Sequence, residues 1–418
     1  MTNAAPPTID PVVQAQYEAY PYPTRKVEDE QKRLIQGSPS AIAELEHYLY
    51  GGKLPQRLRV LSAGGGTGDA AIMMAQQGRD RGLDIEVVHL DLSSASQAIA
   101  KARAELRGLT DIMTFVQDSL LNAAKYGPFD YIDCCGVLHH LQDPPAGLQA
   151  LRAALKPDAA GLGIMVYAPY GRLGVYQAQS AFRRVMGPDM TPQEKVALGK
   201  KLYQQLPAFH HFKMNKLLND HQVSDAGFYD LLLHSTDRAY TVDQLVEFAA
   251  TADMEIVSFI EKTKYDPATY VPEIDRVATT PTTHVARAAL AEELSTSIFK
   301  HIFYLVPRGQ GREMQNGPEA VPFYHNFEGQ QIGRKIKPGD PIVGALQGLS
   351  VSLIMPRLTP LVMQRIDGVK SWTDIHADLQ QQLGGDAPTW ENFWTQAQEI
   401  WHKLHGLNVL LLRQAEKK

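Results

Sequence analysis

Short apolar runs alternate with helical periodicities through the first two fifths of the chain. Val60 and Leu61 run into a turn with glycine at alternate positions, Gly64, Gly66 and Gly68, and a helical pattern of Ala70, Ile72, Met73, Met74 and Ala75 follows until Gly78 stops it. Ile85-Glu86-Val87-Val88-His89-Leu90-Asp91 predicts a second strand, residues 94–107 a helix, and Met113-Thr114-Phe115-Val116-Gln117 a third strand ending at Asp118-Ser119. Phe129 to Leu138 reads as a fourth strand, residues 147–155 as a helix, Lys156-Pro157-Asp158 as a turn, and residues 161–167 as a fifth strand. Strands alternating with helices in this way predict an α/β fold with a parallel sheet.

The flanks read differently. Residues 12–22 hold a helical turn or two ended by Pro21 and Pro23, and residues 38–50 place Ile42, Leu45, Tyr48 and Leu49 on one helical face. Beyond the fifth strand, residues 176–186, 192–205 and 241–252 are amphipathic, residues 255–260 form a sixth strand, residues 286–294 a helix, and residues 297–306 a seventh strand with its lead-in. The pattern then lapses into Gly, Pro, Asn and Gln. Further on, an apolar stretch at 361–366 precedes a helix opened by Ser371 with Asp374 three residues later, a capping box, and carrying Trp372, Ile375, Leu379 and Leu383. A second helix with Trp390, Phe393, Trp394, Ala397, Ile400, Trp401 and Leu404 ends at Gly406, and residues 407–412 form a strand. Helix, helix, strand is a winged-helix-like outline. The expected organisation is a helical lead-in at 1–53, a main domain at 54–307 with inserted segments at 170–240 and 261–299, a linker at 308–339, and a small C-terminal domain at 340–418.

Composition narrows the classes. A chain of 418 residues with 44% hydrophobic and 21% charged residues suits two or three globular domains. A net charge of −5 disfavours nucleic acid as a partner, and the helix after Ser371 has no basic stripe for reading DNA. No apolar run is long enough to span a bilayer and no leader pattern is present near the start. The two cysteines, Cys134 and Cys135, are adjacent, which disfavours a disulfide or a thiolate metal cage, so no metal is expected and a reducing cytoplasm is the expected compartment. The tryptophan-bearing C-terminal unit is expected to recognise a protein or peptide, or to pair two subunits as a homodimer.

Strand, glycine turn and helix together make a nucleotide-binding first crossover, in which bare main chain lets a ligand approach and the helix offers unpaired N–H groups. A dinucleotide fingerprint would have a third glycine at position 69, where this chain has Asp69; an acid there repels a pyrophosphate but suits a ligand with a cationic amino-acid end. Asp91 stands 91 − 68 = 23 positions after Gly68, close to the roughly 20 expected of a carboxylate that accepts from both ribose hydroxyls. The segment Tyr17-Glu18-Ala19-Tyr20-Pro21-Tyr22-Pro23-Thr24-Arg25 sets three tyrosines and an arginine on a stiff backbone, either a packing strap or a lid over the ligand.

On these residues the chain resembles the class I S-adenosylmethionine-dependent methyltransferases. The glycine turn, Asp91, Asp118-Ser119, Gly136-Val137-Leu138-His139-His140-Leu141-Gln142-Asp143-Pro144 and the Leu155-Lys156-Pro157-Asp158 turn occur in the expected order, and the Tyr-Pro-Tyr-Pro lead-in is similar to a bacterial subgroup. The resemblance covers about residues 54–167. It implies a Rossmann-like sheet of seven strands whose last strand is antiparallel, with S-adenosylmethionine as cofactor. The implied cofactor site comprises Ser62, Gly64, Gly66, Gly68, Asp69, Asp91, Leu92, Asp118, Ser119, Gly136 and Val137. One departure stands out. The family usually has an acid two residues before the first glycine, holding the methionine end, and this chain has Ser62, so Asp69 is the acid expected to compensate.

Methyl transfer from a sulfonium is an in-line displacement that depends on alignment, with a general base needed only when the acceptor arrives protonated. His139, His140, Asp230, His234 and Tyr20, with Tyr22 beside it, are the candidates for acceptor handling; Asp230 and His234 would share a helical face. The acceptor, a protein, peptide or small molecule, is not written in the sequence. The alternative function is a non-catalytic methyltransferase-like binding module, for which Ser62 is the argument.

Overall fold

The computed structural model describes residues 11–157, 161–346 and 348–415. Asp158, the last residue of the expected Leu-Lys-Pro-Asp turn, lies outside them. The sheet strands are β1 (Arg57–Ala63), β2 (Asp84–Asp91), β3 (Met113–Gln117), β4 (Tyr131–Cys135), β5 (Gly161–Tyr167), β6 (Met254–Phe259) and β7 (Lys300–Pro307). They lie in the order β3-β2-β1-β4-β5-β7-β6. The pairs β1–β2, β2–β3, β1–β4 and β4–β5 are parallel, and β7 runs antiparallel to β5. Successive residues of a strand face opposite sides, so the unbroken burial of Val87 to Leu90 in β2 requires cover on both faces of the sheet. Helices Asp69–Asp80, Ser94–Leu106 and Pro144–Ala153 follow β1, β2 and β4. Ser93 and Asp143 cap the last two, accepting from the backbone N–H of Ser96 and Ala146. Strand order departs in opposite directions from β1 and β4, so their C-terminal ends form the switch point where sheets of this kind take ligands.

The segment between β5 and β6 builds a helical layer with its own core of Val175, Phe182, Val196, Phe212, Phe228 and Leu232. Its helices Val175–Val185, Pro192–Gln205 and Val242–Ala250 fall where periodicity predicts them. The helix expected over 38–50 begins only at Ile42 and widens over Leu45–Leu49, because Pro39 and the left-handed Ser40 (φ 93°) precede it.

The chain divides into two compact units, and the division differs from the expected one. The first comprises residues 1–41, 56–256 and 296–308, and the second residues 42–55, 257–295 and 309–418. The end of the expected lead-in and most of the expected 261–299 insertion therefore group with the C-terminal residues. The stretch expected to be a linker carries β8 (Val321–Tyr324) and the helix Gly329–Lys335. In the second unit β8 pairs antiparallel with β11 (Leu410–Arg413), while β9 (Pro341–Leu346) and β10 (Leu349–Ile354) form a separate antiparallel pair. Helices Trp372–Leu383 and Trp390–Gly406 pack Trp372, Ile375, Leu379, Phe393, Ile400 and Leu404 into one core with Leu410 and Leu412. The Ser371–Asp374 capping box forms as its spacing implies. Within this unit a cavity of about 760 Å³ is lined in part by Lys262, Tyr265, Glu313, Ser352 and His405. Lys262 Nζ meets Glu313 Oε1 at 2.5 Å, and burial pushes His405 down to about 3, leaving it neutral.

Candidate active site

The glycine turn closes β1. Gly64, Gly66 and Gly68 have φ of 67°, 52° and 99°, which β-carbon-bearing residues rarely adopt. Close packing adds a second constraint: a Cβ on Gly64 would lie 2.6 Å from a Val137 methyl, and one on Gly66 would lie 2.6 Å from the Tyr22 carbonyl oxygen. Asp91, at the end of β2, braces the turn. Its Oδ2 accepts from Gly66 N–H at 2.7 Å and its Oδ1 from Ser93 N–H at 2.8 Å. Burial raises its pKa against the pull of these donors and of His89. The structure thus brings Gly64, Gly66, Gly68, Asp91 and Val137 together, with Gly136 (φ 79°) in the turn that leaves β4.

The other expected cofactor residues have hydrogen-bond partners of their own. The Leu92 carbonyl accepts from Gln14 and Gln117 side chains. Asp118 accepts from Ser119 N–H, Asn122 and Tyr126, all within 8 positions along the chain, and Ser119 caps the turn after it by accepting from Leu121 N–H. Asp69 does not replace a missing acid at position 62. It is engaged by Arg25, at 2.6 Å, and Arg103, at 2.7 Å. Arg103 is itself buried, pairs with buried Glu30 and donates to the Thr67 carbonyl. Ser62 is buried and donates to Asp133 Oδ2 at 3.3 Å.

Beyond β4 and β5 a buried polar nest gathers residues that are distant in sequence. The rings of His140 and His234 stack with centroids 3.8 Å apart, and His139 lies 4.0 Å from His140 and 4.1 Å from Tyr167. Asp230 accepts from Tyr17 at 3.1 Å and from Tyr167 at 3.0 Å, and burial pushes its pKa up. His140 Nδ1 sits 3.0 Å from the Thr236 carbonyl. A carbonyl only accepts, so Nδ1 carries a proton, while Nε2 lies 4.0 Å from Asp230 Oδ1. His234 Nδ1 accepts from Thr236 N–H, and burial holds both His139 and His234 well below the usual histidine range. Both ring nitrogens of His139 lack a hydrogen-bond partner among the described residues. Arg172 lies 3.5 Å over the Tyr167 ring and meets Asp237 at 3.4 Å.

Of the expected acceptor-handling residues, His139, His140, Asp230 and His234 converge. Tyr20 does not: its ring packs 5.8 Å from Tyr229, and Tyr17, one turn earlier on the helix Pro11–Ala19, reaches Asp230 instead. Tyr17, Tyr167, Arg172 and Asp237 escape the sequence reading, although helical spacing from Tyr20 back to Tyr17 holds a signal. One donor atom each from His140, Asp230 and His234, or from His139, His140 and Asp237, lies within 4.8 Å of the others, a spacing able to hold a cation; two tyrosine hydroxyls already occupy Asp230.

Residues 35–202 match the family model of a methyltransferase domain. An uncharacterized protein of Synechococcus sp. is 31% identical over 277 residues, covering 63% of each chain, so the match spans less than two thirds of that relative. The tRNA 5-carboxymethoxyuridine methyltransferase of Escherichia coli is 38% identical over 121 residues, 28% of this chain and 44% of that protein. The solved structure of PKMT2 from Rickettsia typhi in complex with AdoHcy shares the fold, with a TM-score of 0.61 at 14% identity over 90% of this chain and 76% of that one. No helix among the described residues is long and apolar enough to cross a membrane. Residues 35–202 are therefore similar to a methyltransferase domain, and the seven-stranded sheet with its antiparallel seventh strand is the Rossmann-like methyltransferase fold.

Proposed function

We propose that the protein transfers a methyl group from S-adenosylmethionine to an acceptor whose attacking atom arrives carrying a proton. The observation that carries the reading is the adjacency of the Asp91-braced glycine turn and the histidine-rich nest at the ends of β1, β4 and β5. The donor set fits the cofactor. Bare backbone at Gly64, Gly66 and Gly68 makes room, Asp91 offers a carboxylate at hydroxyl-binding distance along the chain, and the two arginines beside the turn, Arg25 and Arg103, are paired with Asp69 and Glu30. When bound, that cofactor supplies an activated methyl on a good leaving group.

The chain's own part is alignment, dryness and the proton. His140 Nε2 is the proton acceptor. The Thr236 carbonyl fixes its tautomer, and Asp230 steadies the imidazolium that forms. The tyrosines on Asp230 hold that carboxylate in place. The segment from Tyr17 to Arg25 lies over the turn, with Thr67 Oγ1 donating to the Pro23 carbonyl at 2.8 Å, and excludes water from the exchange. One relative is named for a tRNA acceptor, but this chain's match to it covers 28% of its length. The burial of His140 among side chains favours a compact acceptor group entering the nest. The test is incubation with methyl-labelled S-adenosylmethionine and fractionated lysate. Label should pass to a discrete acceptor with the wild-type protein and not with His140→Ala. Cofactor that binds without transfer to any fraction would leave the binding-module reading standing.

A further inference from the structure

A bound S-adenosylmethionine carries an ammonium at its amino-acid end, and the position expected to face it, Ser62, is neutral. Asp69 cannot stand in, because Arg25 and Arg103 already engage both of its oxygens. A carboxylate does stand at the required place, one strand over. Asp133 on β4 pairs in register with Ser62 on β1. Register partners on parallel neighbours leave the sheet on the same face and at the same height. That height is the glycine turn: Ser62 Oγ lies 3.0 Å from where a Cβ on Gly65 would be.

Among the described residues, the surroundings of Asp133 lack a positive charge. The carboxylate is 2% exposed and accepts, among those residues, from two hydroxyls, Ser40 Oγ at 2.6 Å on Oδ1 and Ser62 Oγ at 3.3 Å on Oδ2. No cation among the described residues acts on it. Burial accordingly pushes its pKa up to about 7, against the pull of the two serines. Ser40 adopts φ 93°, an uncommon conformation for a residue with a side chain, and shares its hydroxyl with Tyr131 at 2.8 Å. A buried carboxylate with two neutral donors is under-compensated, and a ligand cation is what would complete it.

We infer that Asp133 is the counter-charge for the ammonium of the bound cofactor, with Ser62 as the hydroxyl that orients it. The acid and its hydroxyl partner have exchanged strands relative to the pattern the chain resembles. This assignment rests on the cofactor reading above. The rival is a protonated Asp133 that serves only as a hydrogen-bonding member of the Ser40–Tyr131 cluster.

Calorimetric titration of the full chain with S-adenosylhomocysteine and with 5′-methylthioadenosine, which lacks the amino-acid end, separates them. Asp133→Asn should weaken S-adenosylhomocysteine by about tenfold or more, as expected for a charged hydrogen-bond partner, and leave methylthioadenosine within about threefold. The charge swap Ser62→Asp with Asp133→Ser should recover the preference for S-adenosylhomocysteine. Equal weakening of both ligands, or no weakening, overturns the assignment. If Asp133→Asn does not fold, the swap alone decides: a retained preference supports the assignment and a lost one overturns it. Wild-type protein that binds neither ligand overturns the cofactor reading, and this assignment with it.

Discussion

Asp91 spends both oxygens on main chain, one on the turn and one on the residue that caps the next helix. Removing it unties Gly66 and, on the proposed function, withdraws the acceptor for the ribose. Asp91→Ala should lower S-adenosylhomocysteine affinity by about 1.5–3 kcal/mol, the range for hydrogen bonds to a charged group, and unchanged affinity by titration would take Asp91 out of the site. His140→Ala should leave that affinity within a few-fold and cut turnover by about 10²-fold or more, the usual share of a general base; a loss confined to cofactor binding would contradict the role given to it. Asp133 makes a prediction in pH. Its folded pKa of about 7 lies above the ordinary aspartate value near 3.9 of the unfolded chain. Its contribution to stability is therefore fully present below about pH 4 and is shed as pH rises to about 7. The groups facing it are Ser40 and Ser62, neither of which titrates in that range, so Asp133→Asn should flatten the pH dependence of the urea midpoint between pH 4 and 7. An unaltered slope would mean that Asp133 is ionised in the native state. Gly64, Gly66, Gly68 and Asp91 were legible in the sequence because a turn and the end of the next strand are local features with fixed spacing. Asp133 was not, since its partner lies 71 positions away and only sheet register brings them together.

At the scale of elements, the aromatic-proline segment functions as a fastening. Arg25 reaches Asp69, Glu18 accepts from the backbone of Ser94 and Ala95 at the start of the helix Ser94–Leu106, and Ser93 Oγ donates to the Tyr17 carbonyl. The composition made the segment conspicuous, but strap and lid differ only in what lies beneath, and that needs the fold. Lying on the glycine turn, it should lose exchange when ligand arrives: residues 15–27 are expected to show slowed hydrogen exchange with S-adenosylhomocysteine, and indifference would leave the strap alone. Arg103 is the rivet of this region, 1% exposed between Glu30, Asp69 and the Thr67 carbonyl. Arg103→Ala strands buried Glu30 with only Arg107 for company, so urea unfolding should show a loss of about 3 kcal/mol or more, the range for breaking a buried pair. A change below about 1 kcal/mol, as for an exposed pair, would mean that water reaches the cluster. Strand β8 went unread for a physical reason, since Val321–Tyr324 is short and interrupted by Pro322, whereas Leu349–Ile354 alternates serine with apolar residues, a period-2 strand signal that the sequence reading passed over.

The molecule as a whole is less separable than its sequence suggests. Reading the lapse after Pro307 as a linker implies that the C-terminal residues could be cut away. The chain instead passes between the two compact units five times, at 41/42, 55/56, 256/257, 295/296 and 308/309. Removing residues from 309 onward would leave 42–55 and 257–295 without the rest of their unit. Tyr48 would lose Asn408, which accepts from its hydroxyl at 2.9 Å; His47 would lose the Leu412 backbone; and buried Glu44 would lose the Asn408 amide at 2.5 Å. Each takes a hydrogen bond from a buried polar group, at a cost of about 1–3 kcal/mol. Together these approach the 5–15 kcal/mol that a whole domain holds in reserve. A chain ending at Pro307 is therefore expected to aggregate or to unfold at a markedly lower temperature, with loss of cofactor binding that follows from instability. The milder Tyr48→Phe should lower the unfolding midpoint while leaving S-adenosylhomocysteine affinity within about twofold, since the hydroxyl donates to Asn408 and is worth about 1 kcal/mol of stability. A truncated chain that stays folded, melts as the full protein does and binds the cofactor normally would show that the C-terminal residues are dispensable after all, and that the interleaving of segments carries no energetic weight.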